Sequence, residues 1–195
     1  THADCAEKAA YWVNERGAAG LRLMELVKGM DISWLDSPVA REAWSASAEL
    51  GVPMCVHFFP WNRTEGLTRL KAILQDIPGL QVVIDHFGAI KSDAGAPDHG
   101  VDELLEGVAA FDNVNVKFTT IPLGRLEAAG IDTGPVVSRV MDLFGADRMM
   151  WGSDITQSPG TYTEMVALGR RAVEGLGSTE QEALLSKTAS RIYGK

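Results

Sequence analysis

Short apolar runs alternate with longer stretches of helical periodicity along the chain. The runs begin at Gly20, Val52, Gln81, Val114 and Arg148, so successive starts are 32, 29, 33 and 34 residues apart. Between most of them, apolar residues recur at spacings of three and four, which is the pattern of an amphipathic helix. A strand followed by a helix at this spacing predicts repeated βα units and a parallel sheet.

Caps as well as periodicity mark the predicted helices. Ser37 followed by Pro38 is an N-cap with proline at the first helical position, and Leu50 with Gly51 predicts a helix end. The predicted helices are Asp4–Arg16, Pro38–Leu50, Thr64–Gln75, Asp102–Phe111, Pro135–Phe144, Tyr162–Glu174 and Ser178–Tyr193. No linker or low-complexity segment separates them, so we expect residues 1–195 to form one domain.

Two architectures accommodate a parallel sheet that is buried on both faces, an open doubly wound sheet and a closed barrel. An open nucleotide-binding sheet carries a glycine-rich turn after a strand, and neither GxGxxG nor GxxxxGK[ST] occurs in this sequence. The sequence therefore favours an α/β fold of the TIM type, a (β/α)8 barrel, whose chemistry lies at the C-terminal ends of the strands.

Composition and charge exclude several functional classes. The chain has 195 residues, of which 46% are hydrophobic and 23% charged, as in ordinary globular proteins. A net charge of -8 offers no basic surface to a phosphate backbone, so no nucleic-acid partner is expected. No apolar stretch of about 18 residues predicts a membrane span. Two cysteines, Cys5 and Cys55, are too few for a secreted disulfide framework, and we expect a cytoplasmic protein.

Residues suited to metal chemistry end three of the apolar runs. His57 ends the second run, Asp85 and His86 end the third, and Asp154 ends the fifth. The C-terminal ends of parallel barrel strands meet at one rim. Two imidazoles and a carboxylate there suit a borderline divalent cation such as zinc, with one position left open for water.

Each of these residues also has a structural interpretation. A single strand histidine such as His57 is commonly a hydrogen-bonded core residue, and Asp154 could cap the loop that follows it. Successive strand residues face opposite sides, so we expect His86 to face the rim and Asp85 to support a neighbour. The coincidence of three such residues at three strand ends favours the metal site.

Five segments match, in order, the motifs of one enzyme family. They are GLRL at Gly20–Leu23, the strand of His57, VVIDHFG at Val82–Gly88, NVNVKFT at Asn113–Thr119 and FGADRMMWGSD at Phe144–Asp154. With them the chain resembles the amidohydrolase superfamily, and within it the amidohydrolase-related branch of metal-dependent TIM-barrel hydrolases, lactonases and carboxy-lyases. The last segment is the most specific, and the resemblance covers nearly the whole chain.

The resemblance implies catalytic roles for three residues. His57 resembles the metal ligand on the family's fifth strand. Asp154 resembles the eighth-strand carboxylate that binds metal or takes the proton from its water. His86 resembles the sixth-strand histidine that orients this water or polarises the substrate.

Substrate-binding residues are implied in the same way. Arg22 matches an arginine that could pair with a substrate carboxylate, with a structural salt bridge as the alternative. Lys117 and Thr119 occupy a position that lines the pocket in relatives. Trp61 could form part of the pocket wall. The alternative is that this loop tryptophan packs on the outside of the barrel.

One departure concerns the first strand of the family, which carries a His-x-His pair of metal ligands. His2 and His99 lie outside any apolar run and do not fit that pair. The five runs match strands four to eight, whereas a complete barrel takes about 250 residues. We therefore expect an incomplete barrel, the C-terminal five βα units of a longer enzyme, with no activity when isolated.

The function implied by the resemblance is metal-dependent hydrolysis of a small carboxylated lactone or amide. One alternative is a metal-dependent decarboxylase of an unsaturated acid, and some relatives work without metal. An alternative of another class is an inactive barrel that only binds a ligand or a partner chain. Unpaired strand edges would also favour a homo-oligomer.

Overall fold

The structure is a computed structural model that describes residues 2–194. Five parallel strands form one sheet, and their order in the sheet follows the chain. The strands are β1 (Leu21–Met24), β2 (Met54–His57), β3 (Val82–Ile84), β4 (Val114–Thr119) and β5 (Met149–Gly152). All five apolar runs are strands, and the predicted βα repeat is confirmed.

One helix precedes the first strand, and the others connect the strands or follow the last one. They are α1 (Cys5–Asn14), α2 (Pro38–Glu49), α3 (Arg63–Asp76), α4 (Glu103–Ala109), α5 (Thr120–Ala128), α6 (Thr133–Phe144), α7 (Tyr162–Arg171), α8 (Ser178–Glu182) and α9 (Thr188–Tyr193). The predicted cap of α2 is present, because the Ala40 N–H donates to Ser37 Oγ at 3.3 Å. Within residues 2–194, no helix combines the length and the apolar character that a membrane crossing needs.

Two helical features differ from the prediction. Helix α5 starts directly after β4 and was not predicted, because Pro122 and Gly124 interrupt its pattern. Proline is tolerated in the first turn, where backbone N–H groups have no helical partner, and the buried Leu123 and Leu126 hold the helix against the core. The C-terminal helix is divided, since a π-helical segment, Ala183–Lys187, lies between α8 and α9.

The two faces of the sheet have different surroundings. One face packs on the helices through apolar side chains such as Val56, Ile84 and Phe118, all fully buried. Helix α3 approaches so closely that a Cβ at Gly66 would collide with the ring of Phe58. Because strand side chains alternate, the opposite face carries Arg22, Cys55 and Lys117.

The sheet formed by residues 2–194 has two edges, since β1 pairs with β2, β5 pairs with β4, and β1 and β5 do not pair with each other. Tyr193 at the end of α9 lies on the polar face between them. Its ring is 5.5 Å from Lys117 Nζ and also packs against the backbone at Gly20. The C-terminal helix thereby closes part of the gap between the two edges.

Candidate active site

The polar residues predicted from the strand ends lie at one end of the sheet. His57 is the last residue of β2, Asp85 and His86 directly follow β3, and Asp154 lies two positions after β5. Parallel pairing in register brings these C-terminal ends together.

The backbone after β3 changes how Asp85 and His86 are oriented. The strand ends at Ile84, and the backbone at His86 is left-handed, with φ 52°. Asp85 and His86 consequently line the same cavity. The expectation that they would face opposite sides is wrong, because alternation requires an extended backbone. The backbone at Asp154 is also left-handed, with φ 50°. Non-glycine residues in this conformation cluster at functional sites.

His57, Asp85 and His86 form a compact group of candidate metal ligands. One ligand atom from each lies within 4.8 Å of the others, and the two imidazole centroids are 4.6 Å apart. Burial, and next the neighbouring His86, lowers the pKa of His57 to about 4. Burial also lowers the pKa of His86. Both rings are neutral at pH 7, the state in which histidine binds a metal, so this donor set fits a divalent cation.

Asp85 is the buried anion of the site and contacts two cations. Its Oδ2 is 2.9 Å from Arg22 Nη2, and its Oδ1 is 3.2 Å from Lys117 Nζ. Burial by itself would raise the pKa of Asp85, and the charges of Lys117 and Arg22 outweigh burial, so that this pKa lies below its usual value. Asp85 is therefore a carboxylate at neutral pH, and Arg22 makes the salt bridge that was the alternative to substrate binding.

Lys117 and Cys55 lie deeper on the same face. Lys117 Nζ is 3.4 Å from Cys55 Sγ. Burial, and next the charge of Asp85, raises the pKa of Cys55 to about 12, so this residue is a neutral thiol and not a nucleophile at pH 7. Burial opposes the charged form of Lys117, but nearby negative groups raise its pKa overall. With Cys55 neutral, the carboxylate of Asp85 is the charge that stabilises the ammonium group.

His86 links the metal-ligand group to Asp154. Its Nδ1 is 2.5 Å from Thr119 Oγ1, which fixes the ring, and its Nε2 is 3.9 Å from Asp154 Oδ2. Asp154 is not in the group within 4.8 Å. Its predicted role as a metal ligand stays a prediction, and its contact in this structure is with His86.

Two cavities adjoin His86. The larger, about 360 Å³, is lined by Arg22, Asp85, His86, Lys117, Thr119 and Asp154 among others. A smaller cavity of about 180 Å³ lies on the other side of the ring and is mainly apolar, with Phe58 and Phe59 in its wall. The larger cavity has the size and the convergent polar groups of a small-molecule site.

Trp61 supports the site indirectly. Its side chain is 45% exposed and stacks on Phe59, with ring centroids 4.4 Å apart. Phe59 in turn packs on the ring of His57 at 4.4 Å. Trp61 lines neither cavity that adjoins His86, and the predicted substrate contact stays a prediction.

Arg63 also holds the site in place, and its role was not predicted from the sequence. Its Nε donates to the Gly88 carbonyl at 2.8 Å, and its two Nη atoms contact the Asp102 carboxylate at 2.6 and 2.8 Å. These bonds tie the segment after His86 to helices α3 and α4. A cation in the first turn of a helix interacts unfavourably with the helix dipole. This unfavourable position of Arg63 was the one feature of the sequence that indicated a structural role for it.

Comparison with known proteins identifies a family and two similar enzymes. A protein-family model described as "Amidohydrolase" matches residues 1–195. L-fucono-1,5-lactonase from Burkholderia ambifaria is 30% identical over 132 residues, which is 64% of this chain and 41% of that protein. 4-sulfomuconolactone hydrolase from Rhizobium radiobacter is 29% identical over 122 residues, which is 62% of this chain and 38% of that protein. The chain spans about two fifths of the length of these curated relatives.

Solved structures share the fold. 5-Carboxyvanillate decarboxylase from Novosphingobium aromaticivorans, in complex with manganese and 4-hydroxy-3-methoxy-5-nitrobenzoic acid, matches with a TM-score of 0.68. The match covers 98% of this chain and 60% of that chain at 14% identity, so it is evidence for the fold alone. Such similarity to TIM barrels over part of their length agrees with the expected incomplete barrel.

Proposed function

The chain belongs to the amidohydrolase family, and from this we propose that it supplies the catalytic residues of a hydrolase that uses activated water to open a small carboxylated lactone or cleave an amide-type bond. The observation that carries the proposal is the facing pair of His86 Nε2 and Asp154 Oδ2 at 3.9 Å in the polar cavity. The gap is too long for a direct hydrogen bond. A water oxygen to one side of this pair can lie about 2.8 Å from both atoms, at hydrogen-bond distance from each.

In the proposed reaction, Asp154 accepts a proton from this water while His86 orients it. The water oxygen adds to the substrate carbonyl carbon, the bond from that carbon to the ring oxygen breaks, and the ring oxygen takes up the proton that Asp154 accepted. The product of a lactone is the open hydroxy acid. General acid–base catalysis of this kind contributes about 10² to 10⁴ in rate.

The charges of the cavity support a carboxylated substrate. Arg22 and Lys117 are opposed by the single buried carboxylate of Asp85. The Arg22 side chain is 48% exposed and Lys117 is 22% exposed, so Arg22 is the cation with room to contact a ligand. An arginine can pair with a carboxylate through two parallel hydrogen bonds.

The metal in this proposal would be held by His57 and Asp154, the ligands that the family resemblance implies, with zinc as the first candidate from the donor types. When bound, it supplies Lewis acidity and lowers the pKa of a water ligand. The roles of Asp154 and Arg22 need no metal, so a metal-free reaction at the same residues is the alternative.

The curated relatives support the choice of bond. Both carry names of enzymes that act on lactones, L-fucono-1,5-lactonase and 4-sulfomuconolactone hydrolase. A lactone is therefore the first substrate class to test.

The test compares the natural protein that contains this chain with its Asp154→Asn variant on a five-membered lactone bearing a carboxymethyl group. We expect Asp154→Asn to retain the fold and to lose turnover by about 10³. Asp93→Asn, at an exposed position, is the matched control and should retain activity. Turnover by Asp154→Asn close to that of the natural protein would contradict the proposal. Residues 1–195 alone are expected to give none above background.

The product separates the alternatives. Mass spectrometry that finds a gain of water supports the hydrolase, and loss of carbon dioxide from an unsaturated acid would indicate a decarboxylase instead. A decarboxylase shares this fold, so decarboxylation is the second reaction to test. Binding without turnover in the natural protein would indicate the non-catalytic alternative.

A further inference from the structure

A cavity of about 670 Å³ lies between α5, α7 and the loop that connects Asp154 to α7. It shares no lining residue with the active-site cavity of about 360 Å³. Its volume is within the range of small-molecule sites. The function proposed above gives this cavity no role.

Aliphatic side chains form part of its wall. Ile121 of α5 lines the cavity together with Met165 and Leu168 of α7. Both α7 side chains are buried. Methionine is flexible and adapts its shape to an irregular partner. These three residues suit the apolar body of a small molecule.

The charged side chains that line the cavity are engaged, except for one. Glu127 accepts a hydrogen bond from Arg171 at 2.8 Å. Glu164 accepts from the backbone N–H and the hydroxyl of Thr161 in the cap of α7. Arg125 is exposed and, within residues 2–194, its guanidinium has neither an ion pair nor a hydrogen bond. Arg125 is therefore the cation that is left to pair with an anionic ligand.

A buried hydroxyl on the cavity wall also lacks a partner. Thr120 is 6% exposed and lines the cavity, and its Oγ1 has no hydrogen-bond partner within residues 2–194. Threonine in a helix has two common χ1 rotamers, so this hydroxyl can turn towards a ligand. A buried hydroxyl without a partner is destabilising, and a hydrogen bond to a ligand would remove that cost.

The spacing of these two polar residues limits the shape of the ligand. Thr120 and Arg125 are five residues apart in α5, which is about 7.5 Å along the helix axis. One carboxylate that pairs with Arg125 is therefore unsuited to bond Thr120 as well. A ligand that satisfies both has a second polar group at the other end of its apolar body.

We propose that this cavity binds an apolar hydroxy acid, a second ligand of the protein besides its substrate. The carboxylate pairs with Arg125, the hydroxyl bonds with Thr120, and the apolar body packs on Ile121, Met165 and Leu168. A neutral molecule of the same shape binds more weakly, because it leaves Arg125 without a counter-charge.

The charge contact is tested with the rigid probe 6-hydroxynaphthalene-2-carboxylate, whose binding to the full 195-residue chain is measured by isothermal titration calorimetry. We expect Arg125→Met to weaken binding about tenfold, as for loss of a hydrogen bond to a charged group. The neutral carboxamide of the probe should bind the unaltered chain about as weakly. Arg170→Met removes an exposed arginine of α7 that does not line this cavity, and this matched control should leave the affinity unchanged.

Thr120→Val tests the hydroxyl contact. Valine has nearly the same shape, and we expect the affinity for the probe to fall about fivefold, as for loss of one neutral hydrogen bond. The affinity for naphthalene-2-carboxylate, which has no hydroxyl, should not change. The free variant should be at least as stable as the unaltered chain in urea unfolding, because an unpaired buried hydroxyl has been removed.

Two further variants locate the site. Gly124 lines the cavity, and a Cβ there would meet no neighbouring atom within 4 Å, so Gly124→Phe places a ring in the cavity without a clash. Phenylalanine has a higher helix propensity than glycine, so we expect the fold to be retained and binding to weaken at least tenfold. Arg22→Met changes the active-site cavity and should leave the affinity unchanged.

Full affinity for the probe in Arg125→Met or in Gly124→Phe would overturn the proposal. Hydrogen exchange should show new protection at residues 120–128 and 162–171 when the probe binds. If self-association already protects these segments and the probe does not reverse it, the cavity is an interface between copies of the chain and the proposal is wrong. None of these measurements involves turnover, so they are independent of the outcome for lactone hydrolysis.

Discussion

At the residue scale, Asp85 determines the electrostatics of the site. Its side chain is 6% exposed and neutralises both Arg22 and Lys117. A buried carboxylate is costly unless it is paired, and two buried or half-buried cations are equally costly without it. Asp85 therefore has a structural role that exists with or without a bound metal.

Replacement of Asp85 by asparagine should destabilise the protein. Two cations would then lose their counter-charge, and we expect the free energy of unfolding to fall by about 3 kcal/mol. The added change Lys117→Met should restore part of the loss, since it removes one unpaired cation. Urea unfolding at pH 7 measures both variants. A loss in Asp85→Asn below about 0.5 kcal/mol, the level of an ordinary surface substitution, would contradict this role.

The depressed pKa of His57 predicts a pH dependence of stability. In the folded protein its pKa is about 4, against a usual value of 6.5. Between these values the unfolded chain binds a proton that the folded protein does not. The free energy of unfolding should therefore fall as pH is lowered from about 6.5 to about 4, by on the order of 2 kcal/mol from this residue. His86 acts in the same direction.

Urea unfolding at several pH values tests this dependence. His57→Asn should show a shallower loss of stability over that range, whereas His2→Asn, at an exposed histidine, should retain the full slope. Equal slopes in all three proteins would show that His57 does not stay neutral in the fold.

At the scale of elements, one arginine ties the chain after β3 to two helices. Arg63 is the first residue of α3, and its Nε donates a hydrogen bond to the Gly88 carbonyl. Its partner Asp102 caps α4 by accepting a hydrogen bond from the Leu105 N–H at 3.1 Å. The segment from His86 to Gly88 has left-handed backbone at each residue. Such a conformation persists where the surroundings hold it.

Arg63→Met should therefore loosen the segment that carries His86. We expect a loss of about 3 kcal/mol in unfolding free energy, because the arginine side chain is 9% exposed and Gly88 and Asp102 lose their partner. Arg69→Met, on the same helix but with a half-buried side chain, should cost less than about 1 kcal/mol. Hydrogen exchange should rise at residues 86–90 in Arg63→Met only. If residues 86–90 of Arg63→Met were as protected from hydrogen exchange as those of the unaltered chain, Arg63 would not hold this segment in place.

At the scale of the whole molecule, the sheet of residues 2–194 ends in two edges with apolar side chains nearby. Trp12, 54% exposed on α1, borders a shallow cavity that reaches Leu21 and Leu23 of β1. Leu26, just after β1, is 82% exposed. Unpaired backbone groups beside exposed apolar side chains favour pairing with another chain.

We expect residues 1–195 to self-associate through this side. Sedimentation velocity at increasing protein concentration should show growing species. Trp12→Glu should shift the distribution towards monomer, whereas Tyr162→Glu, with a similarly exposed aromatic on α7, should not. A monodisperse monomer at all concentrations would show that the edges are protected.

The order and type of most elements follow from the amino-acid sequence. Five apolar runs became five parallel strands, because short apolar runs that alternate with stretches of apolar residues at spacings of three and four are typical of βα units. The positions of His57, His86 and Asp154 at one end of the sheet follow from the same pattern, since parallel strands end together. These features depend on residues close in sequence.

Which of these side chains contact one another depends on how the whole chain folds. Asp85 lies on the polar face by strand alternation, whereas His86 reaches the same cavity because its own backbone is left-handed. Arg22 reaches both Asp85 and His57 because β1, β2 and β3 pair in one register. Helix α5 forms despite Pro122 and Gly124 because the core buries Leu123 and Leu126. In each case the deciding interactions join residues that are distant in sequence, and local periodicity carries no information about such distances.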